Sequence, residues 1–174
     1  LQLEALFAVN DFITFNTRFK KNDEGKWVPN GKPISIMAFQ VIEKLHNASS
    51  LEEVFPEYNS QAGILFCVNP TEYGKRRDDN VTSFRNALIE YDDISKEEQV
   101  KRRLDSGLPM LSMTDSGNKS VHAIVRVDAS NAKDYKRKVA ELHSALEAKY
   151  GSPCDPANKN PSRLTRLAGA TRGV

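Results

Sequence analysis

Alternating apolar and polar positions predict strands in the first part of the chain. The alternation runs from Phe12 to Phe19, and a short strand is expected near Trp27 after a turn at residues 23–25. A continuous apolar run at residues 63–68 has the length of a buried strand. The polar and charged residues from 69 to about 80 then predict a loop.

One helix is predicted between these strands. Pro33 opens a stretch to about His46 in which apolar residues recur at spacings of three and four: Ile34, Met37, Val41 and Leu45. This period places them on one face of a helix. Together with the strands, the helix predicts an N-terminal α/β lobe over residues 1–80.

The second half of the chain has two predicted helices whose ends are marked. Ser95 followed by Glu98 forms a capping box, and the helix that it opens is expected to end at Gly107. A longer helix with one apolar stripe is expected from Asn131 to Gly151. Strands are predicted at 87–92, 109–114, 121–127 and near Leu164. This order predicts an α+β fold in which a mixed sheet packs on helices, as in ferredoxin-like and RNA-recognition (RRM-like) folds.

Composition limits the class of protein. The 174 residues, 39% of them hydrophobic and 28% charged, suit one globular domain. No run approaches ~18 consecutive apolar residues, so no membrane span is expected, and no signal peptide is visible. The chain lacks an initiator Met and stops abruptly at Val174. We therefore expect a fragment of a longer, cytoplasmic protein.

The two cysteines, Cys67 and Cys154, are far apart in the sequence. Neither belongs to a Cys-x-x-Cys pair, so no zinc site is expected. A disulfide between them stays open at this point, although two buried or idle thiols are the usual state in a cytosolic protein.

The first segment with candidate chemistry is the acidic pair in Glu90-Tyr91-Asp92. Residues two apart on a strand point to the same face, so Glu90 and Asp92 would project together from the end of a sheet. Two carboxylates this close repel each other unless a cation lies between them. Mg²⁺ and Mn²⁺ take oxygen ligands of this kind. The alternative is a pair of solvated acids before a helix.

The second segment is 116–122, which contains a glycine turn and Lys119. Ser120 and His122 are again two apart at the start of a strand and would share a face. An amine, a hydroxyl and an imidazole together are groups that could hold a triphosphate. The alternative is a core histidine with satisfied hydrogen bonds. The other two histidines lack such neighbours and are expected on helix surfaces: His46 and His143.

The third segment, residues 155–172, combines an acid with basic residues. Asp155 could be a third metal ligand, and Arg163 and Arg166 could neutralise phosphates, to which the planar guanidinium is suited. Four basic residues face this single acid between residues 151 and 174: Lys159, Arg163, Arg166 and Arg172. Such a surface beside acids suits a nucleotide site. A solvated loop is the alternative.

In this order, the three segments resemble those of the archaeo-eukaryotic primase superfamily. That family has an acid-x-acid pair on a strand, then Ser-x-His, then an acid followed by basic residues. The corresponding residues here are Glu90-x-Asp92, Ser120-x-His122 and Asp155. Segments 116–123 and 160–170 look particularly like those of primase-polymerases from phages, plasmids and other mobile elements. The resemblance covers roughly residues 80–172.

The resemblance implies a DNA primase-polymerase, a nucleotidyltransferase of mobile-element replication, with residues 1–174 as one catalytic domain and 81–174 as its core. Three residues would be catalytic and would hold two Mg²⁺ or Mn²⁺ ions: Glu90, Asp92 and Asp155. The incoming NTP or dNTP would be contacted by Lys119, Ser120, His122, Asn160, Arg163 and Arg166. A single-stranded DNA template and a primer would bind, with a weaker prediction of template contacts at Lys75, Arg76 and Arg77. A helicase domain often follows such a domain in the same chain.

The sequence departs from the family pattern at two positions. The first motif begins with Glu90 rather than the commoner Asp, and Ala168 stands where proline is more usual. Two other functions remain open. A rolling-circle replication nuclease needs paired histidines and a nucleophilic tyrosine, whereas the histidines here are scattered. A non-catalytic RRM-like domain that binds single-stranded nucleic acid would expose strand aromatics, whereas Tyr91 lies between two acids.

Overall fold

The computed structural model describes residues 2–170, so the predicted basic residue Arg172 lies outside the described part. Its helices are α1 (Gln2–Leu6), α2 (Ala38–Asn47), α3 (Leu51–Val54), α4 (Lys96–Ser106) and α5 (Ala132–Tyr150). Its strands are β1 (Phe12–Asn16), β2 (Phe19–Lys21), β3 (Trp27–Pro29), β4 (Ile34–Met37), β5 (Leu65–Cys67), β6 (Phe84–Ile89), β7 (Met110–Asp115), β8 (Val121–Ala129) and β9 (Leu164–Arg166). The architecture is α+β, as the sequence predicts.

Two larger sheets and one hairpin contain these strands. The first sheet has the order β4-β1-β5-β9, the second has the order β6-β8-β7, and β2 pairs with β3 alone. Each of these pairings within residues 2–170 is antiparallel. Strand β9 comes from the far end of the sequence but pairs with β5. It therefore holds the basic third segment against the N-terminal strands.

The second sheet is buried on both faces. Leu88 and Ile124 pack into a core that lies among the N-terminal elements. Ala87 and Ile89, which alternate with Leu88 along β6, pack into a second core with residues of α5 such as Tyr135. Burial on both faces explains the uninterrupted apolar runs at residues 87–89 of β6 and 123–125 of β8.

The predicted ends of α4 and α5 are confirmed. The Ser95 hydroxyl accepts the N–H of Glu98 at 3.2 Å, and the Asn131 side chain accepts the N–H of Asp134 at 3.0 Å. Gly107 and Gly151 follow the helices with φ of 71° and 70°, a left-handed conformation that favours glycine.

The predicted helix from Pro33 to His46 is wrong in its first turn. Ile34 and Ile36 belong to β4, where they pair with Phe15 and Ile13 of β1, and the helix begins only at Ala38. Both isoleucines are β-branched and suit a strand that packs against aromatic and aliphatic neighbours. The three-and-four spacing of apolar residues was therefore coincidental over this stretch.

His143 was predicted on a helix surface, but it is buried on α5. It lies four residues after Val139 on the buried stripe of that helix. Burial, aided by the charge of Lys159, lowers the pKa of His143 to about 4. His46 is exposed as predicted, and its Nε2 lies 2.8 Å from a carboxylate oxygen of Glu4.

Cys67 and Cys154 are both free and buried, which confirms the prediction of two buried thiols. Burial raises the pKa of Cys67 to about 12. No helix within residues 2–170 is long and apolar enough to cross a membrane.

Candidate active site

A cleft of about 450 Å³ is lined by residues of both larger sheets. This volume lies within the ~300–1,000 Å³ range of small-molecule sites. The cleft brings together eight of the residues predicted from sequence: Glu90, Asp92, Lys119, Ser120, His122, Asn160, Arg163 and Arg166. Three sequence segments that lie far apart along the chain thus meet at one place.

The other predicted residues are Asp155 and the template residues Lys75, Arg76 and Arg77. Asp155 is not among the residues that line the cleft. Of the three predicted template residues, Arg76 lines the cleft, whereas Lys75 and Arg77 line a neighbouring depression. Because Arg76 also borders that depression, the two concave surfaces are neighbours.

Strand pairing places Glu90 beside His122. Strand β6 ends at Ile89, which pairs with Ala123 of β8, and Glu90 is the next residue. The Ser120 hydroxyl donates to Oε1 of Glu90 at 2.5 Å, and Nε2 of His122 lies 3.4 Å from the same oxygen. The acid of the first motif is therefore bound by both residues of the second.

The ring of His122 has a defined orientation. The N–H of Arg166 can only donate, so its contact with Nδ1 at 3.3 Å makes Nδ1 an acceptor. The hydroxyl of Thr165 lies 3.1 Å from the same nitrogen. In the neutral ring the proton is therefore on Nε2, where it faces Glu90. These contacts also connect β8 of the second sheet to β9 of the first.

The pKa of Glu90 is held at about 2, below its ordinary value of 4.5. Burial alone would raise this pKa. The hydrogen bond and charge of His122, the hydrogen bond from Ser120 and the charge of Arg163 outweigh that effect. Glu90 is therefore ionised at neutral pH.

Asp92 differs from Glu90 in its surroundings. It is exposed, whereas Tyr91 between the two acids is buried. Burial of part of the carboxyl raises the pKa of Asp92, and the negative charges of Glu90, Asp155 and Asp93 raise it further. A cation at this point would relieve the repulsion among these carboxylates.

Asp155 lies behind this acidic pair. Its N–H donates to the carbonyl of Glu90 at 2.9 Å. Its Oδ1 accepts the N–H of Ala157 at 2.9 Å, at the start of a 3₁₀ turn, and its Oδ2 accepts from Arg163 at 3.1 Å. The carboxylate is thus paired with the protein, close enough to Asp92 to affect its pKa.

No group of three or more His, Cys, Asp or Glu side chains within residues 2–170 has an arrangement that could hold a metal ion as it stands. Two of the three candidate ligands already have protein partners: Glu90 with Ser120 and His122, and Asp155 with Arg163. The donor chemistry still suits a hard cation, because all three groups are carboxylates and their charges oppose one another at Asp92.

Three further cleft residues lie within the second and third sequence segments but have no predicted role: Ser116, Asn118 and Ser162. The Ser116 hydroxyl accepts the N–H groups of Asn118 and Ser120 at 3.3 Å each, which orders the loop before β8. The Ser162 hydroxyl donates to Asp78 at 2.6 Å. Their position next to the predicted residues is a signal that could have identified them.

No sequence pattern indicates that Asn69 positions the cleft. Its buried side chain donates to the carbonyls of Asn86 and Pro161 at 2.9 and 3.0 Å. Its side-chain oxygen accepts the N–H groups of Arg85 and Asn86. Asn69 therefore joins β6 to the segment that leads into β9.

The fold is similar to that of a solved structure described as the AEP domain of the cyanophage S-2L primase-polymerase (PrimPol). The TM-score is 0.54 and the sequences are 22% identical over 95% of this chain and 77% of that chain. At this identity the likeness shows a primase-polymerase type of fold. No family model matches the chain, and no curated protein matches it either.

Proposed function

We propose that this chain carries out template-directed nucleotidyl transfer, as a DNA primase or DNA polymerase, in the replication of a mobile element. One observation carries the proposal: a single cleft contains the acidic pair, the Ser-x-His pair and the basic segment. The likeness of the fold to a phage primase-polymerase domain supports it. In this proposal, residues 1–174 form one catalytic domain of a longer chain.

The acids would hold the divalent ions. Asp92 is the most open of them, and Glu90 and Asp155 would exchange their present partners to join it. Mg²⁺ or Mn²⁺ ions bound there would neutralise charge on the transferring phosphate and on the attacking and leaving oxygens. The low pKa of Glu90 keeps one ligand ionised at neutral pH.

The cleft residues around these acids would bind the nucleoside triphosphate, whether NTP or dNTP. Lys119, Arg163 and Arg166 supply positive charge, and guanidinium groups match phosphate oxygens well. The Ser120 hydroxyl and the Nε2–H of His122, which now face Glu90, are donors that a phosphate oxygen could accept. Asn160 adds an amide at the cleft wall.

A template strand and a primer would approach over the basic surface outside the cleft. Arg76 belongs to both concave surfaces, and Lys75 and Arg77 continue the positive charge away from the cleft. Phosphate neutralisation by such residues provides affinity without sequence preference. A helicase domain in the same full-length chain is a further proposal.

Specific positions in the structure disfavour both alternatives. Tyr91 is buried, so it offers no face on which a base could stack, as an RRM-like binder would need. The three histidines do not meet: His46 pairs with Glu4, His143 is buried on α5, and His122 lies in the cleft. A paired-histidine nuclease site is therefore disfavoured.

Primer extension tests the proposal. The protein is incubated with a primed single-stranded template and labelled nucleotides, in Mn²⁺ or Mg²⁺ and in EDTA. Asp92→Asn is compared with the matched variant Asp93→Asn, since Asp93 is the adjacent exposed acid and does not line the cleft. We expect extension by the wild type and by Asp93→Asn only with metal, and loss of extension in a folded Asp92→Asn protein. Absence of extension by the wild type on primed and unprimed templates, or full activity of Asp92→Asn, would contradict the proposal.

A further inference from the structure

The β2–β3 hairpin stands apart from both hydrophobic cores of the described chain. Neither core contains Phe19 or Trp27, although both side chains are only partly exposed. The hairpin forms its own two-stranded sheet, closed by a turn in which Gly25 has a φ of 73°. Packing in the main cores therefore does not explain the presence of these two aromatic residues.

One face of the hairpin combines aromatic and basic groups. The register pairs Phe19 with Pro29 and Lys21 with Trp27. Directly paired residues and residues two apart share a face, so all four lie on the same side. The ammonium group of Lys21 is 5.2 Å from the centre of the Trp27 ring. Lys20 and Val28 lie on the other face.

The charge of the hairpin favours an anionic partner. Five basic residues and two acidic ones between Arg18 and Lys32 give a net charge of +3. Arg18 is paired with Glu57, and Lys26 with Glu24. Within the described residues, the exposed side chains of Lys20, Lys21 and Lys32 have no carboxylate partner.

The aromatic face is continuous with the cleft. Pro29, at the end of β3, is one of the cleft-lining residues. Trp27 lies two residues earlier on the same face, roughly 7 Å away along the strand, or about twice the 3.4 Å rise of stacked nucleotides. A polynucleotide strand that leaves the cleft at Pro29 would thus meet the Trp27 ring within its first few nucleotides.

We infer that this face of the hairpin binds a single-stranded polynucleotide next to the cleft, with Trp27 as a stacking platform and Lys21 as a phosphate contact. Stacking on aromatic rings together with basic neighbours is how proteins bind single strands without sequence preference. The inference rests on the proposed function, since a template must lie beside the site of nucleotide addition. It adds a surface that the Lys75–Arg77 segment does not include.

The chain offers a direct probe, because Trp27 is its single tryptophan. Because the chain also has five tyrosines, the tryptophan is excited selectively, and its emission then reports on this hairpin. The wild-type domain is titrated with single-stranded oligo(dT) in EDTA, so that no nucleotide transfer can occur. We expect saturable quenching of the tryptophan emission, and a weaker response to a duplex of equal length, in which the bases are stacked on each other.

Matched variants on the two faces separate stacking from general charge. With a fluorescently labelled oligo(dT), we expect Trp27→Ala to weaken binding about tenfold and Trp27→Phe to retain most of it. Val28→Ala, one residue away on the other face, should change binding less than twofold. Lys21→Ala should weaken binding more than Lys20→Ala, which removes the same charge from the opposite face. Thermal unfolding of each variant checks that the hairpin change leaves the domain folded.

The outcomes distinguish this inference from the proposed function. Primer extension by the wild type, without quenching and with Trp27→Ala binding as tightly as Val28→Ala, would overturn the hairpin surface and leave the enzyme intact. Quenching and face-specific loss of binding without any extension would support the surface and contradict the proposed function.

Discussion

Oε1 of Glu90 accepts a 2.5 Å hydrogen bond from Ser120 and lies 3.4 Å from Nε2 of His122. Ser120 and His122, the two residues of the second motif, thus both contact Glu90, the first acid of the first motif. A phosphate group bound by Ser120 and His122 would compete with Glu90 for these two donors. The contacts of Glu90 are therefore expected to change whenever the cleft binds a metal ion or a nucleotide.

The first prediction concerns acid stability. The pKa of Glu90 in the folded protein is about 2, below its ordinary 4.5, so its contribution to folding is complete above pH 4.5 and is lost as pH falls through 2. The unfolding free energies of wild type and Glu90→Gln should therefore differ most near neutral pH and converge as pH falls toward 2. Glu43→Gln, at an exposed position on α2, is the control. A difference in unfolding free energy that is independent of pH would contradict the lowered pKa of Glu90.

The second prediction concerns metal binding at Asp92. Mn²⁺ or Mg²⁺ at ten times its dissociation constant should stabilise the wild-type fold by about 1.4 kcal/mol, and Asp92→Asn should lose this gain. The stabilisation should also fade as pH falls through the raised pKa of Asp92, because a protonated carboxyl is a poor ligand. Thermal unfolding with and without metal measures both effects. Equal stabilisation of Asp92→Asn and Asp93→Asn would exclude Asp92 as a ligand.

The third prediction concerns Lys119, which lines the cleft and whose charge lowers the pKa of Asp92. Lys119→Ala should weaken binding of a nucleoside triphosphate roughly 5–10-fold, about 1–1.4 kcal/mol for one charge-assisted contact. It should also raise the pKa of Asp92 further. Calorimetric titration with a nucleotide, and NMR titration of Asp92, measure the two effects. Lys133→Ala, on the exposed side of α5, is the charge-matched control. An equal loss of nucleotide affinity in both variants would indicate only a non-specific electrostatic effect.

The fourth prediction concerns the buried residue Arg103, which is 2% exposed. Its guanidinium lies 4.5 Å from the centre of the Tyr91 ring. Among the described residues its nitrogens lack hydrogen bonds of good geometry, although the Tyr91 hydroxyl is near enough to favour the charged form. Burial lowers the pKa of Arg103, so the charge is costly.

Two substitutions at Arg103 should therefore have opposite effects on stability. Arg103→Met keeps the volume and should leave the unfolding free energy unchanged or raise it by about 1–4 kcal/mol. Arg103→Ala should lower it by about 2–5 kcal/mol through the cavity that it opens. Chemical denaturation of both variants measures this contrast. Equal destabilisation by Met and Ala would show that the charge itself supports the fold.

Local sequence signals predicted much of the second half of the fold. The caps at Ser95 and Asn131 and the glycines after α4 and α5 act within one turn of a helix, so they are visible in the sequence. Strand periodicity likewise predicted that Ser120 and His122 lie on the same face. These features depend on neighbours that are close along the chain.

The wrong predictions concern residues whose structure is determined by tertiary contacts. Ile34 and Met37 fit a helical period, but pairing with β1 makes them part of a strand. His143 is polar, yet its place in the apolar stripe of α5 buries it. The role of Asn69 depends on carbonyls of Asn86 and Pro161 that are 17 and 92 residues away. No local pattern encodes such contacts.

Single-nucleotide incorporation is the most direct test of template-directed nucleotidyl transfer by this domain. The domain is given a primed template with one defined unpaired base, Mn²⁺, and each of the four labelled nucleotides in turn. We expect that the complementary nucleotide is added, that the choice changes when the template base is changed, and that Asp92→Asn abolishes addition while Asp93→Asn retains it. Addition that ignores the template base, addition that persists in Asp92→Asn, or no addition by the wild type would contradict this expectation.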